Sequence, residues 1–185
     1  MRLAAACGVA IVLLGCATDP DDADRAPFFL WGARPGMQLD SVEQFFIRQD
    51  NVGWGCEDLG SGIRRCQRPT QWVYGRLEAV AGPDGRVFYI AFAPATSEYG
   101  TGRDVLFDED LGSMERVWMR AKGVRFDPHG VSEASPKGTV DFSTARGRWK
   151  ALVTFDGRLC TGLPRPCPSL VQLVDWRDGQ SYVQP

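Results

Sequence analysis

The sequence predicts an α+β protein made of two consecutive units, each an amphipathic helix followed by antiparallel strands. Three observations lead there. Leu39, Val42, Phe45 and Phe46 fall on one face of a helix, and Leu111, Met114, Val117 and Trp118 repeat that face at an offset of 72 residues. Ser41, Glu43 and Arg48 meet Ser113, Glu115 and Arg120 at the same offset. A β-rich stretch follows each helix, and a Gly-, Ser- and Thr-containing segment at 95–108 separates the two halves. The units are therefore placed at 28–94 and 109–185, with 95–108 as a linker.

In chain order, Phe28-Phe29-Leu30-Trp31 is either a short strand closing a sheet edge or an aromatic plug. Asp40 with Glu43 three residues later makes a capping-box-like start to the first helix. Residues 54–66 read as a hairpin turning at Leu59-Gly60-Ser61-Gly62. Residues 72–80 and 86–92 read as two strands about a Gly82-Pro83-Asp84-Gly85 turn. In the first of them Val73, Leu77 and Ala79 alternate with Trp72, Tyr74, Arg76 and Glu78, so a core-facing set predicts an aromatic and charged outward stripe. In the second half, 124–126 and 139–143 are candidate strands. Residues 149–155 and 158–161 form an expected hairpin at Asp156-Gly157, and 169–176 make the last strand.

The N-terminus is different in kind. Met1-Arg2 precedes an apolar run from Leu3 to Leu14, the layout of a secretory signal. That run is too short to span a bilayer, which needs about 20 residues. It ends in Leu13-Leu14-Gly15-Cys16, which resembles the lipobox of bacterial lipoproteins. The resemblance implies cleavage of residues 1–15, lipidation of Cys16 with several acyl chains, and attachment to a membrane through that residue alone. Residues 16–27 then read as an acidic tether. Ala17, where an aspartate would signal inner-membrane retention, favours the periplasmic face of the outer membrane by resemblance to enterobacterial sorting.

Loss of the signal removes Arg2, one of 21 basic residues, leaving 20 against 23 acidic and a net charge of −3. A slightly acidic chain lacks the basic face that nucleic acid requires. With Cys7 in the signal and Cys16 lipidated, Cys56, Cys66, Cys160 and Cys167 remain, an even number suited to an oxidising compartment. Local pairing, Cys56–Cys66 and Cys160–Cys167, is expected because each pair brackets a turn. A zinc site would need the closely spaced cysteine pairs that are missing.

No catalytic pattern stands out. One histidine, His129, excludes a multi-histidine metal site, and its Asp127-Pro128-His129-Gly130 setting is that of a turn. The acidic group Asp104, Asp108, Glu109 and Asp110 lacks the ligand spacing and central Gly of an EF-hand. No nucleophile elbow, phosphate loop, haem motif or dinucleotide fingerprint is present. No catalytic residue, metal or cofactor is assigned.

The run Arg34-Pro35-Gly36-Met37-Gln38-Leu39-Asp40-Ser41-Val42, a Gly-Met leading into a helix and then antiparallel strands, resembles the opening of small envelope lipoproteins of the SmpA/OmlA (BamE-like) type. The doubled arrangement is similar to the β-lactamase inhibitor protein. These resemblances imply a binding or assembly role without catalysis, in which the sheet face meets an envelope protein. The expected function is thus a membrane-anchored, non-enzymatic scaffold with Trp72, Tyr74, Arg76 and Glu78 as its contact residues. The alternative is a small-molecule or glycan binder, or a hydrolase, with a pocket between the units lined by Trp54, Trp72, Trp149 or Trp176.

Overall fold

Val87, Phe88, Tyr89, Ile90, Ala91 and Phe92 are all buried, so this strand is covered on both faces and has to lie inside a sheet. The computed structural model describes residues 21, 23–30, 32–50, 54–68, 75–94, 115, 116, 118, 123–129, 131, 137–159 and 166–185, with the backbone alone for 45–50 and 158–159. Among them, eight strands form one continuous antiparallel sheet: β1 Gly55–Gly60, β2 Ile63–Gln67, β3 Gly75–Ala81, β4 Val87–Pro94, β5 Val124–Asp127, β6 Lys137–Thr144, β7 Trp149–Leu159 and β8 Pro166–Asp175. Their order is β1-β2-β3-β4-β8-β7-β6-β5.

This overturns the expectation of two helix-plus-sheet units. Each half supplies a four-stranded meander, and the two are zipped together by β4 and β8, where Tyr89 faces Val174 and Phe92 faces Val171. One sheet with one main core replaces two. The described helices are few: α1 (Leu39–Asp50), the four-residue α2 (Trp176–Gly179) and a 3-10 turn at Gln180–Tyr182. The helix expected around residue 111 lies almost wholly outside the described residues, within which Glu115, Arg116 and Trp118 are helical.

The sheet's inner face carries the main core. Leu77, Ala79, Ile90, Phe92, Val140, Phe142, Trp149, Ala151, Val153, Phe155, Val171 and Leu173 point there. Phe28, Leu30, Leu39, Val42 and Trp118 pack over them. The Phe28-to-Leu30 stretch is therefore an aromatic plug and not an edge strand. Phe28 meets the Trp118 ring edge-on at 5.9 Å. At the start of α1, Ser41 and Val42 both donate to the Gln38 carbonyl, which makes Gln38 the capping position. Asp40 sits inside the first turn, where its charge suits the positive helix end. The entry is tight. Gly36 has φ +91°, and a Cβ there would lie 2.0 Å from the Asp24 carbonyl oxygen.

Leu77 and Ala79 face the core as expected, and Arg76 and Glu78 take the other side of β3. The hairpin at 54–66 forms, with Cys56 directly opposite Cys66 and bonded to it. A cystine closing so short a loop contributes about 2–3 kcal/mol. Cys167 is also disulfide-bonded, and its expected partner Cys160 lies outside the described residues.

Asp156-Gly157 does not make a hairpin. β7 runs straight through to Leu159, which pairs with Pro166, and the register shifts between Phe155 and Leu159. With Gly157 at φ +96°, the dipeptide forms a bulge within the strand.

The outer face has its own smaller core of Val80, Phe88, Tyr89, Ala91, Leu170 and Val174. Trp176, Tyr182 and Val183 from the C-terminal segment pack onto it. Tyr182 lies 5.4 Å from the Phe88 ring and 6.1 Å from Tyr89. The chain's own tail thus covers the seam between β4 and β8.

Candidate functional site

Two places on this scaffold concentrate polar side chains. The first is the outer face of the sheet around the tail. There the Tyr89 hydroxyl donates to Gln172 Oε1 at 2.9 Å, and Gln172 Nε2 donates to the Gln184 carbonyl at 3.1 Å. The Gln184 amide returns a bond to Gln172 Oε1 at 2.7 Å, and Arg76 Nη2 donates to Gln184 Oε1 at 2.8 Å. Burial, followed by the Glu78 charge, pushes the Tyr89 phenol well above its ordinary value, so it stays a neutral donor.

This network locates part of the expected contact stripe. Arg76 is exposed yet tied to the tail. Glu78 is only 6% exposed and accepts a hydrogen bond from Gln67 Nε2 at 3.3 Å, so it is held within the sheet's outer layer. Trp72 and Tyr74 lie outside the described residues. Farther along the same face, Arg125 and Asp127 on β5 are exposed, while Thr139, Asp141, Lys150, Leu152 and Thr154 are half-buried. That stretch is a polar sheet surface of the kind an antiparallel sheet can turn to water.

The second place is a corner where three distant segments meet. Thr144 ends β6 and Trp149 begins β7, and the turn between them offers the backbone amides of Arg146 and Arg148. Asp21 docks into it. Its Oδ1 accepts from the Thr144 hydroxyl and from the Arg148 amide at 3.0 Å, and its Oδ2 accepts from the Arg146 amide at 2.6 Å. Arg148 completes the joint. Its Nη1 donates to the carbonyls of Asp21 and Ala23, both at 3.1 Å. Its Nε and Nη2 donate to Asp175 Oδ2, both at 3.2 Å, while its guanidinium stacks 4.1 Å above the Trp149 ring. Asp175 in turn caps α2 by accepting from the Arg177 amide at 3.2 Å.

Asp21 is only 5% exposed. Burial alone would raise its pKa, but the bonds from Thr144, Arg146 and Arg148, with the Arg146 charge, outweigh it and hold the carboxyl below its ordinary value. A depressed folded-state pKa means stabilisation present above the unfolded value and lost as pH falls through the folded one. Acid titration of thermal stability should therefore fall less steeply below about pH 4 in Asp21→Asn than in the wild type. Parallel curves would contradict this account.

Beside this corner lies a cleft of about 550 Å³. Arg86, Arg148 and Arg177 line it together with Asp24, Asp84, Asp175 and Asp178. Its charges are largely matched within the protein, since Arg148 and Arg177 share Asp175, and Arg86 lies 3.8 Å from Asp84. The arrangement is suited to joining segments.

Of the tryptophans expected to line a pocket between two units, Trp149 contributes to the wall of this cleft. Trp149 is buried in the inner core, Trp54 packs against that same core, and Trp176 packs on the outer face. Trp72 lies outside the described residues. His129 is exposed, with Nδ1 3.7 Å from Asp127. Among the described residues no group of three or more His, Cys, Asp or Glu could hold a metal ion, and no helix is long and apolar enough to cross a membrane. Asp104, Asp108, Glu109 and Asp110 lie outside the described residues, as do Cys16 and the expected signal segment at 1–15.

The Asp21–Arg148–Asp175 joint escaped the reading of the sequence. Nothing local marks it: Asp21 sits in a run of aspartates that reads as solvated, and its partners are more than a hundred residues away. Compared with protein-family models, with curated proteins and with solved structures, the chain matches none.

Proposed function

We propose that this protein is a lipid-anchored lipoprotein of the bacterial cell envelope that binds or scaffolds another protein and catalyses no reaction. The observation that carries the reading is the Leu13-Leu14-Gly15-Cys16 lipobox at the end of a signal-like segment. The Cys56–Cys66 cystine supports it, since such bonds persist in oxidising compartments outside the cytosol. Ala17 after the cysteine favours the periplasmic face of the outer membrane.

The partner surface is the outer face of the sheet at the start of β3. Arg76 is exposed there, directly after the Trp72 and Tyr74 positions, and these three residue types dominate interface energetics. Glu78, being buried, supports the strand from within and is removed from the contact set. Crosslinking in intact membranes, followed by affinity capture, tests the proposal. A specific envelope protein is expected with the wild type, and its yield should drop about tenfold or more in Trp72→Ala, the loss of a hot-spot residue. Failure to recover any protein, with wild type and variant behaving alike, sinks the binding role. An unacylated mature N-terminus by mass spectrometry sinks the anchor.

A further inference from the structure

We propose that the outer face over the β4–β8 seam is a groove for an extended peptide, and that residues 180–185 fill it as a built-in competitor. The inference rests on the protein-binding role proposed above and adds the chemistry of the segment recognised.

Gln172 is the central residue. It is 1% exposed, with Ala91 and Leu152 as its strand neighbours, a setting where an amide is costly unless bonded. Both polar atoms of that amide bond the backbone of one residue. Oε1 accepts from the Gln184 amide at 2.7 Å, and Nε2 donates to the Gln184 carbonyl at 3.1 Å. An N–H and a C=O of one residue turned to one partner is the arrangement of a hydrogen-bonded pair in an antiparallel ladder. The Gln172 side chain thus stands in for a strand, and what it reads is main chain. The Tyr89 hydroxyl, donating to the same Oε1 at 2.9 Å, fixes which way the amide points.

Side-chain contacts flank this clamp. Tyr182 meets the Phe88 and Tyr89 rings, and Val183 packs on the same cluster. Arg76 Nη2 donates to Gln184 Oε1 at 2.8 Å. The ligand class is therefore an extended segment carrying an aromatic, an aliphatic and a carbonyl-bearing side chain in succession.

The present occupant is held lightly. Gly179 is buried, and a Cβ there would lie 2.8 Å from the Phe88 carbonyl oxygen, so the chain is pinned as far as that residue. Beyond it Gln180, Ser181 and Pro185 are exposed, and Tyr182, Val183 and Gln184 are half-buried. Val80, Tyr89 and Gln172 beneath them are closed to solvent. Arg76 belongs to the contact surface proposed above and is bonded to this cover. A partner that engages Arg76 competes with Gln184 for it, which couples binding to release of the segment.

The probe is a fluorescein-labelled hexapeptide with the sequence of residues 180–185, titrated against the full chain by fluorescence anisotropy. A tethered competitor acts at up to about millimolar effective concentration, so the wild type should bind the probe at least roughly tenfold more weakly than Tyr182→Ser with Gln184→Ala. Adding Gln172→Leu to that variant should cost about tenfold, as should methylating the probe's amide nitrogen at the Gln184 position. Equal binding by wild type and the weakened variant, or with and without Gln172, overturns the groove. Where the variant does not melt cooperatively, hydrogen exchange of the wild type decides. The Gln184 amide should exchange at least ~100-fold faster than the amides of β4 and β8, and exchange in step with those strands overturns the groove. Capture of an envelope protein by a chain that binds no probe also overturns it and leaves the binding role standing. Probe binding with no protein captured upholds the groove and sinks that role.

Discussion

Phe142→Ala should lower the free energy of unfolding by about 3–5 kcal/mol, the usual cost of emptying a fully buried aromatic site. Phe142 is 0% exposed and sits where four parts of the fold converge. Its ring meets Trp118 edge-on at 5.0 Å and Phe126 at 5.1 Å, while its strand neighbours are Phe126 on β5 and Ala151 on β7. Trp118 itself leans on Phe28, so the cavity would open beneath both the N-terminal plug and the short edge strand. Phe142→Leu, which refills most of the volume, should cost roughly 1–1.5 kcal/mol. Urea denaturation of the purified protein checks the pair. Similar costs for the two would mean that the site collapses around the smaller residue.

Arg148→Ala should cost about 3 kcal/mol, at the low end of the range for removing one member of a buried ion pair. The Asp175 carboxylate, its side chain 7% exposed, loses its main partner. The carbonyls of Asp21 and Ala23 lose a shared donor at the same time. Arg177 still approaches Asp175 at 3.4 Å, but its side chain is 61% exposed and such pairs contribute at most about 1 kcal/mol. Arg148→Lys should recover little, because one ammonium cannot reproduce donors aimed at two carbonyls and a carboxylate while stacking on an indole. The second readout is limited proteolysis: cleavage just after Asp21 should accelerate in Arg148→Ala. Unchanged melting with unchanged cleavage would show that the joint holds nothing together.

What could be read from the sequence is what depends on neighbours. The α1 pattern, the Gly60-Ser61-Gly62 hairpin, the Cys56–Cys66 bond and the alternation of Leu77 and Ala79 all arise from residues within about one turn or one hairpin of each other. Asp156-Gly157 shows the limit of that reading. A glycine at positive φ serves a two-residue turn and a bulge alike, and the choice is made by β8, which continues to pair as far as Leu159.

The fold class failed for a related reason. Joining β4 to β8 brings Ala91 beside Gln172, and no local pattern encodes that contact. A signal was nonetheless present. The unbroken apolar run Val87 to Phe92 lacks the alternation of a strand with one wet face, which marks a strand interior to a larger sheet. The candidate contact stripe fared differently: alternation placed Glu78 correctly on the outer side, and only the tertiary packing decided that this side is buried there.

The seam between β4 and β8 has a consequence for the order in which the chain is made. A polypeptide emerges from the ribosome or a translocation channel N-terminus first, and β4 is complete at Pro94, 72 residues before β8 begins at Pro166. Through that interval one edge of β4 has no strand to pair with, and Phe88, Tyr89 and Ala91 lack both Val174 and the tail that later shield them. An unpaired, apolar edge of this kind is where newly made chains associate wrongly. The nascent protein therefore needs protection over that stretch, and release from a chaperone should coincide with arrival of β8 and the tail behind it.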